Sequence, residues 1–286
     1  MGSKSSVPHL TSIIIPAFNQ LCFSRLCLIA LAGHTVPQFE LIVVDNGSTD
    51  GTASYLLGVQ DHVRFPLKIV SNPKNLGFPA ACNQGLREAI GDYLVLLNND
   101  TVVTEGWLEQ LIALADSSPT IGMTGPMSNY VSPPQLIEPI SYGNLEEMHM
   151  FASTWRTTHR GEWFKTPKLS GFCVLIKRQA IDAIGLLDEH FGLGLFDDDD
   201  LAIRAARAGF SLAVARDAFV HHFGSRTFAG MGVDTQHLLA HNRALLERKW
   251  GLSLDASGEV KLDPWTSILS SSKGGVAISA NHMHDT

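Results

Sequence analysis

SIIIP at Ser12–Pro16 and LIVVD at Leu41–Asp45 decide the fold. Both are short β-branched runs that stop at turn formers, the pattern of strands buried on both faces. Between them Cys22–Ala32 is apolar at helical spacing and stops at Gly33, so the order is strand, helix, strand. The unit continues outward. Asn46–Thr52 (NGSTDGT) is a turn that offers Asp50 as N-cap for a short helix through Leu57, and Leu67–Val70 is a third strand. Phe78–Ile90 is a helix with Pro79 in its first turn and Gly91 just beyond its end. Tyr93–Leu97 (YLVLL) is a fourth strand stopping at Asn98, and Leu108, Leu111, Ile112 and Ala115 mark one face of the next helix. Strands alternating with helices predict an α/β domain with a mostly parallel sheet, covered on both faces. Ligands of such sheets bind beyond the carboxyl ends of the strands.

From about Met123 the pattern changes. Ser128–Trp163 is rich in Pro, Ser, aromatics and His and has little periodicity, so it reads as a long surface excursion. Regularity returns with a strand at Gly171–Lys177, helices at Gln179–Ile184 and Asp198–Ala208, and two short strands at Phe210–Val214 and Ala218–His221. Asp234–Trp250 is a helix with the amphipathic face Leu238, Asn242, Leu245 and Lys249. One domain is expected in two halves, 10–122 and 123–252, followed by a loose Ser- and Gly-rich tail at 265–286.

The chain has 286 residues, 45% of them hydrophobic and 17% charged, enough for a sizeable core. A net charge of −7, with no interleaving of aromatic and basic residues, argues against nucleic acid as a partner. Four cysteines without zinc or disulfide spacing read as reduced, mostly buried thiols of a cytoplasmic protein. No apolar run approaches the roughly 18 residues of a membrane span, which leaves peripheral association with the inner face of a membrane open.

Polar residues that end strands are the candidates for chemistry. Asn98–Asn99–Asp100 directly follows the fourth strand; it reads either as a turn or as a holder of a divalent cation through the Asp oxygen. Asp45 is either a turn residue or an acceptor for a ribose or base. Four of the 28 acidic residues are consecutive, Asp197 to Asp200. At a helix start they over-supply the cap, or one of them is a general base raised by its neighbours. At about 100° per residue, Asp197 and Asp200 share a face while Asp198 points elsewhere. Of His221 and His222, adjacent in a strand, at most one enters a shared site. The chain has no GxGxxG after its first strand, no GxxxxGK[ST] and no GxSxG.

Taken in order, SIIIPAFN (Ser12–Asn19), VVDNGSTDGT (Val43–Thr52), NLGFPAACNQGL (Asn75–Leu86), LLNNDT (Leu96–Thr101), LSGFCVLIKR (Leu169–Arg178), GLLDEHFGLGLFDDDDLAIRAARAGF (Gly185–Phe210) and VHHFGSRTF (Val220–Phe228) resemble the family 2 glycosyltransferases. The resemblance implies the GT-A fold and inverting transfer of a sugar from a nucleotide diphosphate sugar, with UDP-sugars favoured. It implies a donor half and an acceptor half within one domain. Pro16, Ala17 and Asn19 would contact the nucleotide, with Phe18 beside the base; Asp45 would bond the base or ribose. Asn75, Gly77 and Asn83 would shape the nucleotide pocket. Asn98–Asn99–Asp100 stands at the family's DxD motif and departs from it, keeping only the last carboxylate. Asp100 would then hold Mn²⁺ or Mg²⁺, and Asn98 the ribose or sugar.

In the acidic run, which matches the family's ED-x-D-L, Asp198 takes the position of the base. Asp197 takes the position nearest acceptor or sugar, while Asp200 and Arg204 brace the helix. His222 would be the further metal ligand, with His221 as the alternative. Ser170 and Gly171 would lie near the reaction centre. The aromatic residues Phe151, Trp155, Trp163, Phe164 and Phe172 either stack on an acceptor saccharide or cover a core of their own. The acceptor would be a glycan, a lipid-linked saccharide or a protein. Two other readings stand beside this one. A sugar nucleotidyltransferase would need a basic, Gly-rich loop that SIIIPAFNQ lacks, and an inactive binding homologue would have no need of Asp100, Asp198 and His222.

Overall fold

The computed structural model describes residues 9–36, 38–224, 230 and 232–252; the expected tail at 265–286 lies outside them. The expected strand–helix alternation forms the first half: β1 (Thr11–Ala17), α1 (Leu21–His34), β2 (Phe39–Asp45), α2 (Thr52–Val59), β3 (Leu67–Ser71), α3 (Phe78–Glu88) and β4 (Tyr93–Leu97). β1 pairs in parallel with β2 and with β4, and β2 with β3. Ile13, Ile14, Ile15 and Leu41 to Val44 have no exposed surface. That is why these strands read as unbroken apolar runs: helices cover both faces of the sheet. Asp50 does serve the start of α2, one residue earlier than a regular N-cap. Gly51 takes the cap position at φ 96°, while Asp50 Oδ1 accepts from the Thr52 N–H and hydroxyl.

The second half completes the sheet: β5 (Thr101–Val103), α4 (Trp107–Asp116), β6 (Ile121–Met127), α5 (Leu145–Thr158), β7 (Trp163–Thr166), β8 (Cys173–Lys177), α6 (Arg178–Ile184), α7 (Asp197–Arg207), β9 (Ser211–His222) and α8 (Thr235–Trp250). The order is β3-β2-β1-β4-β8-β6-β9-β5, with β7 on β9. β8 runs antiparallel to both β4 and β6, whereas β6 and β9 are parallel. The domain is thus a mixed α/β sheet flanked by helices, parallel throughout β3-β2-β1-β4.

Two sequence expectations need correction. Residues 128–163 are not without regular structure, because α5 lies inside them. Asn144 caps it by accepting the Glu147 N–H at 2.9 Å, and Glu147 returns a bond from the Gly143 N–H at 2.7 Å. Its fully covered face is only Met148 and Ala152, too short a stripe to show as periodicity. Second, the two short strands after Phe210 are one strand, β9. Its register against β6 slips after Pro126↔Ala215 to Met127↔Phe219, and this irregularity, with the polar Arg216–Asp217 at its centre, splits the apolar pattern. Of the two readings open for the aromatic residues of α5, the structure shows that they cover core. Phe151 contacts Tyr142 and Phe219, and the Trp155 indole N–H donates to the Arg216 carbonyl at 2.7 Å.

Gly77 ties the two halves together. It precedes α3 at φ 95°, and a Cβ there would lie 2.0 Å from the Gly192 carbonyl oxygen. A side chain therefore meets both left-handed strain and an immovable backbone atom. Gly77→Ala is expected to cost about 3 kcal/mol of stability, read as a lower urea midpoint; an unchanged midpoint refutes the close approach.

Candidate functional site

A cavity of about 710 Å³ opens at the carboxyl ends of β1 and β4. Pro16, Ala17 and Phe18 enter it at the end of β1, and Asn98, Asn99 and Asp100 at the end of β4. Ser170, Gly171 and Phe172 come from the approach to β8; Asp197, Asp198 and Asp199 come from the start of α7. Asn75 and His222 complete the set of expected residues on its wall.

β5 brings Asp100 and His222 together. Thr101 pairs with His222, and the Phe223 N–H donates to the Asp100 carbonyl at 3.0 Å. His222 Nε2 then lies 3.2 Å from Asp100 Oδ1 and 3.4 Å from Asn98 Nδ2. The ring is held from three sides. Its Nδ1 lies 2.8 Å from the Tyr130 carbonyl, Phe172 stacks on it at 5.1 Å, and Asn129 exchanges two hydrogen bonds with its backbone. An Nδ1–H on a backbone carbonyl leaves the Nε2 lone pair facing a carboxylate, an arrangement that orients histidine metal ligands. Asn98 Oδ1 is buried there without a hydrogen-bond partner. Carboxylate oxygen, imidazole nitrogen and a bare amide oxygen suit Mn²⁺ or Mg²⁺. Among the described residues no three His, Cys, Asp or Glu side chains gather as a complete metal cage. A cation at this pair would draw its other ligands from a bound anion.

His221 faces the other way, as alternation along a strand requires. Its Nδ1 meets the Tyr142 hydroxyl at 2.7 Å, and burial, then the neighbouring His222, lowers its pKa to about 4. The choice between the two histidines as companion of Asp100 therefore falls on His222.

α7 begins abruptly. Leu195 and Phe196 precede it at φ 75° and 68°, left-handed positions that cost about 1–3 kcal/mol each for residues with side chains. The turn delivers four carboxylates to one helix start, where the macrodipole favours them. Asp198 is oriented by two backbone donors: the Gly171 N–H on Oδ2 at 2.9 Å and the Asp199 N–H on Oδ1 at 3.0 Å. Asp200 is buried and faces the scaffold; Arg204 Nε (2.9 Å), Lys249 Nζ (2.7 Å) and Trp250 Nε1 (2.9 Å) all meet its carboxylate. Asp197 is also buried, as its shared face with Asp200 requires, but it stays on the cavity wall.

Several expected site residues are not on that wall. Asn83 is scaffold: its side chain bonds Leu187 N and O and Glu189, joining α3 to the segment before α7. Gly77 serves the close approach to Gly192. Asp45 accepts the Ser48 N–H and Asn19 the Thr49 N–H, both within the turn that follows β2. Trp163, expected at the acceptor, stands on β7 opposite Ala215 and away from the cavity, half-exposed. Asn99 is on the wall but its amide is spent on Ser24 Oγ at 2.9 Å. Conversely, Asn46, Tyr130, Lys168 and Asp199 line the cavity although the resemblance assigned none of them a role there. Asn46 was the most legible of these, since it directly follows a strand. It holds Asn75 Oδ1, Leu76 N and Asn72. Tyr130 and Lys168 sit in stretches with no periodic signal.

The acidic run titrates unusually. Burial, then the Asp198 charge, pushes Asp197 well above the ordinary carboxyl range. The same two causes push Asp199 up to about 7, with Lys168 pulling the other way. Both groups hold protons in the folded state at pH values where the unfolded chain has released them. Between about pH 4 and 7 the unfolding free energy therefore falls as pH rises. The wild-type melting temperature is expected to drop from about pH 5 to about pH 8, and Asp199→Asn to reduce that drop. An identical slope in the variant would refute the burial of this carboxyl.

Residues 12–185 match the family described as Glycosyl transferase family 2, from β1 to the end of α6. N-acetylglucosaminyl-diphospho-decaprenol L-rhamnosyltransferase of Mycobacterium tuberculosis is 28% identical over 244 residues, covering 76% of each chain. Uncharacterized protein y4gI of Sinorhizobium fredii is 28% identical over 228 residues, which are 76% of this chain and 24% of that one. The chain thus spans about a quarter of the second relative's length and three quarters of the first's. In structure, it is similar to the mannosyltransferase PcManGT from Pyrobaculum calidifontis, solved in complex with GDP-Man and Mn²⁺. The TM-score is 0.63 at 21% identity, covering 93% of this chain and 69% of that one. The match over most of the domain, on a sheet whose β1 and β4 ends open into one acid-lined cavity, makes this chain a member of glycosyl transferase family 2 and a glycosyltransferase of GT-A fold.

Proposed function

We propose that the cavity transfers a sugar from a nucleoside diphosphate sugar to a hydroxyl of a saccharide, with inversion and with Asp198 as general base. The observation that carries this reading is one cavity lined by two unlike groups. One is Asp100, His222 and the bare Asn98 oxygen, a half-built cation site. The other is Asp198, held by the Gly171 and Asp199 N–H groups and still on the cavity wall.

A sugar hydroxyl is a weak nucleophile, so its proton must leave as its oxygen attacks. Asp198 takes that proton, the oxygen bonds to the anomeric carbon, and the bond to the diphosphate breaks on the opposite face. The nucleoside diphosphate leaves with the electron pair. No covalent enzyme intermediate is required, so one base is sufficient. Bound at Asp100 and His222, Mn²⁺ or Mg²⁺ would supply charge neutralisation for the departing diphosphate. Asp197, kept above the ordinary range by burial, offers a neutral hydrogen-bond donor beside the base. Asn98 offers the ribose or sugar an uncharged amide where a carboxylate would compete for the cation. Pro16, Ala17, Phe18 and Asn75 form the donor wall, and Ser170, Gly171 and Phe172 the acceptor side.

The donor is read as a UDP-sugar, with GDP- and dTDP-sugars as the competing outcomes of one panel. A lipid-linked saccharide is the favoured acceptor, supported by the name of the mycobacterial relative. Such an acceptor would bring the protein to the inner face of a membrane, for which it carries no spanning helix among the described residues.

The first test is release of nucleoside diphosphate from a panel of sugar nucleotides with Mn²⁺. One donor is expected to turn over, and EDTA to stop it; a silent panel refutes the enzyme reading, and full activity in EDTA refutes the cation. Asp198→Asn is expected to lower turnover by about 10³-fold while nucleotide binding by calorimetry stays unchanged. Wild-type turnover in that variant removes Asp198 from the base role.

A further inference from the structure

α8 grips the acidic segment from outside the stretch that matches the family. Asn242 is 1% exposed on the inner face of this helix. Its amide nitrogen lies 2.9 Å from the Phe191 carbonyl, 2.7 Å from that of Gly194 and 3.1 Å from that of Leu195. The loop it meets has positive φ at Gly192, Gly194, Leu195 and Phe196. Leu195 and Phe196 carry side chains, so nothing intrinsic favours their conformation. Both line the cavity, as does Leu239 of α8, one helix turn before Asn242. One turn beyond Leu246, Lys249 and Trp250 hold Asp200. The acidic run is therefore fastened on both sides by one helix: its backbone entry by Asn242, its last carboxylate by Lys249 and Trp250.

A buried amide in an apolar helix face is costly unless its hydrogens find acceptors. Here they meet carbonyls that a left-handed turn has drawn out of any regular ladder. We propose that Asn242 is a positioning residue: through the Phe191, Gly194 and Leu195 carbonyls it holds the left-handed turn that aims Asp197, Asp198 and Asp199 into the cavity. The consequence for turnover rests on the glycosyltransferase reading; the consequence for the loop does not.

Asn242→Asp separates hydrogen bonding from packing, since the side chains are isosteric but a carboxylate only accepts and would face the carbonyl oxygens. Amide hydrogen exchange of the full-length protein reads the loop directly. Amides of 192–199 in Asn242→Asp are expected to exchange at least about tenfold faster, with the amides of β1, β2 and β4 unchanged. Asn242→Gln, which keeps an amide donor, is expected to recover most of the protection. Release of nucleoside diphosphate from the donor that the wild type uses is expected to lose about tenfold or more in kcat, with donor KM within about twofold. Burial beside three carbonyl oxygens raises an introduced carboxyl as it raises Asp197, so exchange in Asn242→Asp is read from about pH 8 downward, and loop protection is expected to recover in part as the carboxyl takes up a proton and regains a donor hydrogen.

Wild-type exchange at 192–199 in Asn242→Asp overturns the proposal. So does loss of protection spread equally over β1, β2 and β4, which marks a general stability role, and so does a Gln variant no better than Asp. If the wild type turns over no sugar nucleotide, the enzyme reading fails while the exchange measurement still decides the positioning role.

Discussion

β8 runs antiparallel between β4 and β6, with Leu97 opposite Cys173 and the Asn98 N–H on the Phe172 carbonyl at 2.8 Å. This register sets the geometry of the whole cavity. It stops β4 at Asn98, so that the chain turns through Asp100 into β5 and meets His222. It lays Phe172 flat on the His222 ring, and it leaves the Gly171 N–H free to orient Asp198. A slip of one residue would reverse the faces of β8 and withdraw both contacts at once. Burial along the whole strand opposes that slip, since Cys173 to Lys177 are all buried.

The cavity wall is acid-rich, and its electrostatics separate its carboxylates by role. Asp200 is neutralised within the protein by Arg204 and Lys249, which suits a group that braces α7. Asp197 and Asp199 have no such partners at hydrogen-bond distance among the described residues, and burial raises both. Asp198 lies between them with its oxygens on backbone N–H groups. A base is most useful when its neighbours carry protons and so do not compete for the one it must take. Lys168 and His222 are the basic residues of the wall among those described. On the proposed function, an anionic diphosphate entering such a site would need a cation to accompany it, and the Asp100–His222 pair would hold that cation.

Much of the fold was legible because the parallel half obeys local rules. Ile13–Ile15 and Leu41–Val44 are continuous apolar runs, and Gly and Pro punctuate the helices between them. The antiparallel half was harder. β5 is only three residues long, β7 has two exposed positions of four, and the polar Arg216–Asp217 interrupts β9, so each lacked a clear period. At the site, position was the legible part: Asn98 to Asp100 after β4 and Asp197 to Asp199 of the acidic run do reach the cavity wall, whereas Asp45 after β2 turns to its own loop. The way in which Asn83 serves the fold was not legible. This residue belongs to a motif of the family, yet its amide is fully engaged by Leu187 and Glu189, and only the folded chain shows which partners a buried amide has taken. Tyr130 escaped notice because its contribution to the site includes its backbone carbonyl, and no residue type signals that.

An amide at Asn98, where the family's motif has a carboxylate, changes the charge balance of the site. A carboxylate at that position would stand beside Asp100 and the Nε2 lone pair of His222, adding like charge to a site already lined by three aspartates of α7. An amide removes that repulsion and keeps an oxygen, the one that is buried and unpartnered. A neutral carbonyl oxygen is a weaker cation ligand than a carboxylate, but it costs far less to desolvate. Beyond the N–H that points to His222 Nε2, it also leaves an N–H donor for hydroxyls that a carboxylate could only receive from. The trade suits a site in which the diphosphate itself brings charge to the cation. On the proposed function, affinity for the free ion would fall while affinity for the ion together with its nucleotide would be largely retained, so that cation and donor would bind as a unit.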